Sequence, residues 1–418
     1  MTIADIYKIY TEHFLVDTDT RKIRPNTLFF ALKGDNFNGN KFAKEAIKLG
    51  AKYAIIDEAE YKISGKTILV ANVLETLQNL AKYHRSKLTI PVIGLTGSNG
   101  KTTTKELINA VLSKKYKTTA TIGNLNNHIG VPLTILSITP KAEIGIIEMG
   151  ANHQKEIEFL CSISTPDFGY ITNFGKAHLE GFGGINGVIK GKSELYTYLI
   201  NNDKTAIVNP YDAIQVEKTE NCKKILFSSD TQFLEADPFV KISHQNIIIK
   251  SNLIGKYNYT NIAAAITIGT YFNISIENIK DAIENYIPTN NRSQVIKKDD
   301  NIIFLDAYNA NPTSMEAALE NFSLIKEKSK TVILGDMFEL GIETDEEHQK
   351  IVNLSDKYSF DNTFYVGEHF FKASTTNKKF KNFEELKNYV IKNPLKNQSI
   401  LIKGSRGMQL ERVLEFIT

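Results

Sequence analysis

The sequence predicts an α/β protein of three domains: a small N-terminal α/β cap, a central P-loop domain with a mostly parallel sheet, and a C-terminal Rossmann-like α/β domain. Three observations carry this. The 418 residues suffice for two to four domains, at roughly 100–200 residues each. Short β-rich runs alternate with helical stretches, the βαβα rhythm of a parallel sheet with helices on both faces. The rhythm stops at the polar stretch PTNNRSQ (288–294) and then begins again. The predicted segments are 1–88, 89–290 and 291–418.

NKFAKEAIKLG (40–50) predicts an amphipathic helix ended by Gly50, with KYAIID as the strand after it. TILVA (67–71) predicts another strand, and LETLQNLAKYHRSKL (74–88) spaces Leu74, Leu77, Ala81 and Leu88 along one helical face. TIPVIGLTGSNGKTTTKELINAVL then runs strand, glycine turn, helix. Strands follow at 144–149, 168–173 and 205–209, with helices between them. FVKISHQNIIIK (239–250) reads as antiparallel decoration, and NYTNIAAAITIGTYF (258–272) as a long helix. The second rhythm is NIIFLDAY, helix, TVILGD, helix, NTFYVG, helix, SILIKGS, helix.

Composition narrows the function. Fifty basic and forty-seven acidic side chains leave +3, too balanced for a general nucleic-acid binder, so an anionic ligand must meet a local site. Two cysteines without metal-like spacing argue against a disulfide scaffold or a structural zinc. The N-terminus lacks the layout of a secretory signal, and no apolar run is long enough to span a bilayer. A cytoplasmic protein is expected.

The strongest chemical signal is LTGSNGKTTTKE (95–106). A strand delivers the chain into a glycine turn whose backbone N–H groups, with the following helix N-terminus, suit a phosphate. Lys101 would reach the β- and γ-phosphates, and the Thr102 hydroxyl would ligate Mg²⁺. Leu95 stands where GxxxxGK[ST] has its first glycine, with Gly97 inside the loop instead. In IIEMG, Glu148 ends a strand, at the edge where open α/β sheets gather ligands. His178 lies beyond another strand end in NFGKAHLEGFGG. Together the two could hold a second hard cation. Singly, Glu148 reads equally as a salt-bridge partner and His178 as an ordinary loop histidine. GNLNNHIGVPLT (123–134), which holds Asn124, reads as turn chemistry. DAYNANPTSM places Asp306 at a strand end, with Pro312 opening a helix. KGSRGMQLE ends a strand on Lys403, with Ser405 and Arg406 near a helix N-terminus, where a carboxylate or phosphate would fit; standing alone, the motif reads rather as a solvated turn.

Together these motifs resemble the ATP-dependent Mur ligase family over nearly the whole chain. TGSNGKTTT is common to that family and to folylpolyglutamate synthase. EMGAN, NFGKAHLEGFG, DAYNANPTSM, LGDMFELG and KGSRGMQLE resemble the branch that adds D-alanyl-D-alanine to UDP-N-acetylmuramoyl-tripeptide. The DNPR-type motif of the lysine- or diaminopimelate-adding branch does not occur. The resemblance implies a central ATP-binding domain, an N-terminal domain for the UDP-sugar and a C-terminal domain for the incoming dipeptide. It implies ATP and Mg²⁺ as cofactors and a soluble, monomeric ligase of peptidoglycan precursor synthesis.

Residue roles follow from the same resemblance. Gly97, Ser98, Asn99, Gly100, Lys101, Thr102 and Thr103 match the ATP phosphate loop, with Thr102 on the first Mg²⁺. Glu148 and His178 match ligands of the second. Lys192, which read alone is a surface helix lysine, matches the lysine these enzymes carry as a carbamate. Asn258 and Asn261 match positions near adenine, with Tyr257 in place of a histidine. Arg292 and Asp306 match ATP contacts. Thr20, Arg21, Asn38 and Gly39 match the UDP-sugar domain, and Asn124, Asn309, Asn311, Lys403, Ser405 and Arg406 fall in the substrate regions. Closure is expected to turn on a hinge near Thr289–Arg292. The alternatives are another amide ligase of this type, such as folylpolyglutamate synthase, and a non-catalytic nucleotide-binding regulator on the same fold.

Overall fold

A computed structural model of the chain describes residues 1–288, 291–326 and 329–417. Thr289 and Asn290, the start of the expected hinge, lie outside the described residues. The chain is α/β, built on three mainly parallel sheets.

The first sheet orders Val16–Asp17, Leu28–Phe30, Tyr53–Ile56 and Thr67–Leu69 side by side, all parallel. Asn72 caps the helix Val73–Arg85 by accepting from the Glu75 N–H. That helix buries Val73, Leu77, Leu80 and Ala81, whereas Leu74 and Leu88 are only half-buried. Its last turn fastens the first sheet to the second. The buried His84 lies 2.8 Å from the Ile138 carbonyl through Nε2, and Arg85 donates to the Ser164 and Thr165 carbonyls and to Asp167, each at 2.9 Å.

The second sheet orders Lys223–Leu226, Thr205–Val208, Phe168–Ile171, Val92–Thr96, Ile144–Glu148 and Thr118–Ala120, all parallel. Every residue of Val92–Thr96 and Ile144–Glu148 is buried, which matches their continuous apolar runs. The expected antiparallel decoration is a three-stranded sheet of Thr231–Ala236, Phe239–His244 and Ile247–Ile254. Its first strand escapes the sequence reading because TQFLEA alternates poorly. The helix Asn258–Tyr271 packs against Lys101–Leu112 and buries nearly all of its first three turns.

The third sheet orders Gln294–Lys298, Asn301–Asp306, Ser399–Lys403, Lys330–Gly335, Asn362–Val366 and Lys378–Phe380, parallel except for its first strand. Asn311 caps the helix Pro312–Leu324, which opens on proline as expected. The helix expected after the last strand is not α-helical. Arg406–Met408 and Leu410–Phe416 are 3₁₀ segments, divided at Gln409, whose backbone is left-handed at φ +48°. Among the described residues, no helix is long and apolar enough to cross a membrane.

Candidate active site

The strand Val92–Thr96 passes into the phosphate loop at its C-terminal end. Gly97 sits at φ +140°, with the space of a Cβ filled by the Thr172 hydroxyl, and Gly100 at φ +80° lies against the Asn261 amide. Only glycine satisfies both the dihedral and the contact. The loop is tied down by the next strand end: Asn99 N–H donates to Asn173 Oδ1 at 3.1 Å, and Thr172 Oγ1 donates to the Asn99 carbonyl at 2.6 Å. Lys101 folds back over the loop and donates to the Gly97 carbonyl at 2.7 Å and the Ser98 carbonyl at 3.1 Å. Desolvation pushes its ammonium down to about 8, opposed by Glu148 and helped by Arg292.

Glu148, buried, ends the strand beside the loop. Its Oε1 accepts from Thr102 Oγ1 at 3.3 Å and from Asn126 Nδ2 at 2.8 Å, while its Oε2 is buried with no partner. A free carboxylate oxygen beside a P-loop threonine hydroxyl is the donor set a hard cation takes. Thr102 and Glu148 therefore fit Mg²⁺.

The strand ends that carry Glu148 and His178, expected to be neighbours, are not. Their strands flank Val92–Thr96 on opposite sides rather than lying next to each other. His178 bonds Glu339 through Nδ1, and this bond holds the Glu339 carboxyl below its usual range. Among the described residues, no three His, Cys, Asp or Glu side chains converge on one metal position.

Lys192 is fully buried rather than a surface helix lysine. Its Nζ donates to the Ala151 carbonyl at 2.9 Å and lies 4.8 Å from the centre of the Phe182 ring. Burial holds its ammonium well below the lysine range, with Lys101 adding to the effect.

The third sheet faces the loop across one cleft of about 1010 Å³. Ser98 to Thr103, Asn124, Glu148, His178, Asn258, Asn261, Arg292, Asp306, Asn309, Lys403, Ser405 and Arg406 all line it. Arg292 and Arg406 lie over the Tyr308 ring, with guanidinium carbons 3.5 and 4.9 Å from its centre. Lys403, buried, bonds Asp306 at 2.5 Å. Tyr257 lines the cleft and is held by a 3.0 Å bond between its hydroxyl and that of Ser293. Asn258 and Asn261 form a buried chain: Thr104 Oγ1 donates to Asn261, Asn261 to Asn258, and Asn258 to the Ile254 carbonyl.

Other expected residues lie elsewhere. Gly97 and Asn311 are not among the residues lining the cleft, and neither is Lys192. Ser405 reaches the cleft but its Oγ accepts the Phe338 N–H at 3.0 Å, so it supports the wall. Thr20, Arg21, Asn38 and Gly39 do not line the cleft. Arg21 is exposed and paired with Asp19, and Asn38 bonds Glu58 and the backbone of Asn40. Sequence reasoning missed Asn126, Tyr308, Phe338 and Glu339. Asn126 stands in an asparagine-rich turn two residues from Asn124, and nothing in residue type separates them.

Three successive family models match the chain: the Mur ligase family, catalytic domain, over 13–93; the Mur ligase middle domain over 95–269; and the Mur ligase, glutamate ligase domain, over 291–406. The chain belongs to the Mur ligase family. Within it, the chain is 34% identical to the UDP-N-acetylmuramoyl-tripeptide–D-alanyl-D-alanine ligase of Bacillus subtilis (strain 168), over 96% of this chain and 92% of that protein. Its fold matches a crystal structure of MurF from Acinetobacter baumannii with a TM-score of 0.85 and 30% identity, covering 96% and 92% of the two chains. MurF from Thermotoga maritima, in complex with ADP, matches with a TM-score of 0.84 and 26% identity, over 96% of each chain.

Proposed function

We propose that this chain is an ATP-dependent ligase that joins D-alanyl-D-alanine to UDP-N-acetylmuramoyl-tripeptide in peptidoglycan precursor synthesis, acting in the cytoplasm as a monomer. The observation that carries the reading is the cleft on which the phosphate loop and Glu148 converge with Arg292, Asp306, Lys403 and Arg406. The near full-length likeness to UDP-N-acetylmuramoyl-tripeptide–D-alanyl-D-alanine ligases favours it over folylpolyglutamate synthase. Retention of Lys101, Thr102 and an orphaned Glu148 oxygen favours an enzyme over a binding relic.

The chemistry is carboxylate activation. The loop amides and Lys101 bind the nucleotide, and the γ-phosphoryl group passes to the terminal carboxylate of the tripeptide, giving ADP and an acyl phosphate. The dipeptide amine attacks the acyl carbon, the amine loses a proton, and inorganic phosphate leaves. Mg²⁺ held by Thr102 and Glu148 would supply countercharge to the phosphates. Lys101, Arg292 and Arg406 offset the charge gathered as two anions meet. An acyl phosphate hydrolyses readily, so closure of the cleft between the second and third sheets would serve to exclude water. In this reading residues 1–88 hold the UDP-sugar, 89–290 the ATP, and 291–418 the dipeptide.

The test is ADP release and product formation with UDP-linked tripeptides carrying lysine or diaminopimelate, each with and without D-alanyl-D-alanine. Amide product that needs ATP, Mg²⁺ and the dipeptide is expected. Glutamate addition to a folate with no use of the dipeptide would replace this reading with the synthase, and tight nucleotide binding without any product would replace it with the regulator.

A further inference from the structure

The motif LGDMFELG places Phe338 and Glu339 on the cleft, yet the group that holds it lies outside. The turn leaves the C-terminal end of Lys330–Gly335. Asp336 N–H donates to the Val366 carbonyl at 3.1 Å, and Phe338 N–H to Ser405 Oγ. Between them, the Met337 N–H donates to Nε2 of His348 at 3.0 Å. His348 is completely buried, and Met337 with it.

The imidazole has one tautomer open to it. Its Nδ1 lies 2.7 Å from the Thr344 carbonyl, which can only accept, so Nδ1 carries the hydrogen. Nε2 is then a bare acceptor, as the Met337 amide requires. The consequence reaches across the cleft. Glu339, left-handed at φ +62°, bonds His178 through its side chain, and its carbonyl accepts the Glu180 N–H at 3.2 Å.

We propose that His348 is a positioning residue for the ligase reaction: its neutral imidazole fixes the Met337 amide and so sets Phe338 and Glu339 against the cleft and against His178. The inference rests on the ligase reading above. The charged and titratable groups around the ring are Asp336 at 3.7 Å, His369 with its ring centre at 5.3 Å, Asp345 beside Thr344, and Glu347, which is paired with Lys176 and Lys350. The Asp336 carboxylate is already engaged by the His369 and Phe370 N–H groups. A proton on Nε2 would set donor against donor at Met337, and burial holds the imidazole below its ordinary range.

The experiment compares His348→Gln, whose side-chain amide reaches the Nε2 position, with His348→Asn, which reaches only the Nδ1 position. Hydrogen exchange of the Met337 amide is followed on the free chain, and kcat and KM are measured for each substrate. The glutamine variant is expected to keep the amide protected and kcat within about threefold of the parent. The asparagine variant is expected to lose protection and at least about tenfold in kcat, with KM for ATP within about twofold. The glutamine variant should also hold its kcat to lower pH than the parent. Equal exchange or equal kcat in the two variants would overturn the proposal, as would an unmoved acid limb. A parent that forms no amide product would instead remove the ligase reading and leave the exchange result standing.

Discussion

Asn99 and Asn311 exchange side-chain amides directly: Asn311 Nδ2 donates to Asn99 Oδ1 at 2.7 Å, and Asn99 Nδ2 to Asn311 Oδ1 at 3.4 Å. Asn99 belongs to the phosphate loop, and Asn311 caps the helix Pro312–Leu324 of the third sheet. The Lys176 N–H donates to Thr313 on the same helix, and the Lys176 ammonium pairs with Glu347. The loop proposed to bind phosphate and the domain proposed to bring the dipeptide thus share one polar seam.

Two substitutions separate the two jobs of Asn311. Asn311→Ser keeps a capping oxygen but cannot reach Asn99, so stability should stay within about 0.5 kcal/mol while kcat falls. Asn311→Ala loses both and should cost about 1 kcal/mol in addition. Chemical denaturation read beside ADP release checks this; a serine variant with parental kcat would show that the seam does not serve turnover.

Glu148→Gln tests the cation reading. An amide oxygen still accepts from Thr102 and Asn126, but the anionic Oε2 is gone. Turnover should fall by about two orders of magnitude or more, since carboxylate oxygen is what Mg²⁺ selects. Stability should change by no more than about 1 kcal/mol, because the lost oxygen has no partner to leave behind. Titration of Mg²⁺ in the assay is the measurement, and a parental Mg²⁺ dependence would count against Glu148 as a ligand.

Much of this was legible in the chain, and the rest was hidden for identifiable reasons. TGSNGKTTT shows its strand, turn and helix together because an apolar run, two glycines and a helix start fall in one short stretch, although the contacts that tie the loop down, to Thr172, Asn173 and Asn261, come from far along the chain. Glu148 and Lys403 stand at strand ends, where a run of apolar residues meets a charge. Asn126, Tyr308 and Glu339 gain their roles only when distant segments meet; His178 and Glu339 are 161 residues apart. Lys192 misleads when read alone, since the helix Ile185–Asn201 is amphipathic by pattern and a buried lysine breaks that pattern without a sequence mark. The closing segment differs as well: Gln409 turns left-handed just ahead of LERVL, and Leu410–Phe416 runs as 3₁₀ rather than as the expected α-helix.

Lys101→Ala should abolish turnover and leave the fold intact. The ammonium bonds only two carbonyls of its own loop, so its removal disturbs no core contact. Circular dichroism and thermal unfolding should match the parent, and turnover within a few-fold of the parent would contradict the phosphate role.

His84 links stability to pH at the seam between the first and second sheets. Burial lowers its folded-state value below the ordinary 6.5, with the Ile138 carbonyl opposing. In the unfolded chain the ring takes up a proton as pH falls through that ordinary value, and the folded chain resists it. Stability should therefore be full above about 6.5 and decline as pH falls, until the folded-state value is passed, with a slope of up to about 1.4 kcal/mol per pH unit for one proton. His84→Gln removes this titration, so the variant should show a shallower acid slope in denaturant unfolding between pH 5 and 7. These pH values are assay settings, taken on either side of an ordinary imidazole at about 6.5. An unchanged slope would place the acid sensitivity elsewhere.

Lys192 carries the prediction with the widest consequence. Its amine is completely buried, has the Ala151 carbonyl as its hydrogen-bond acceptor, and lies against the Phe182 ring. A buried ammonium so poorly compensated is costly, whereas a neutral amine in that place can combine with CO₂, losing a proton and becoming a carbamate anion. An anion there would offer oxygen of the kind Mg²⁺ takes, where an ammonium would repel the ion. Lys192→Ala should then lose most activity, and a short carboxylate such as acetate should restore part by refilling the anionic position. Rigorous removal of bicarbonate should slow the parent if exchange is fast, and leave the alanine variant with acetate unaffected. A purely structural lysine makes a different forecast: alanine would lower stability by leaving a cavity, and neither acetate nor bicarbonate would matter. Parental turnover in Lys192→Ala, or a loss that tracks stability and ignores both additives, would dismiss the carbamate.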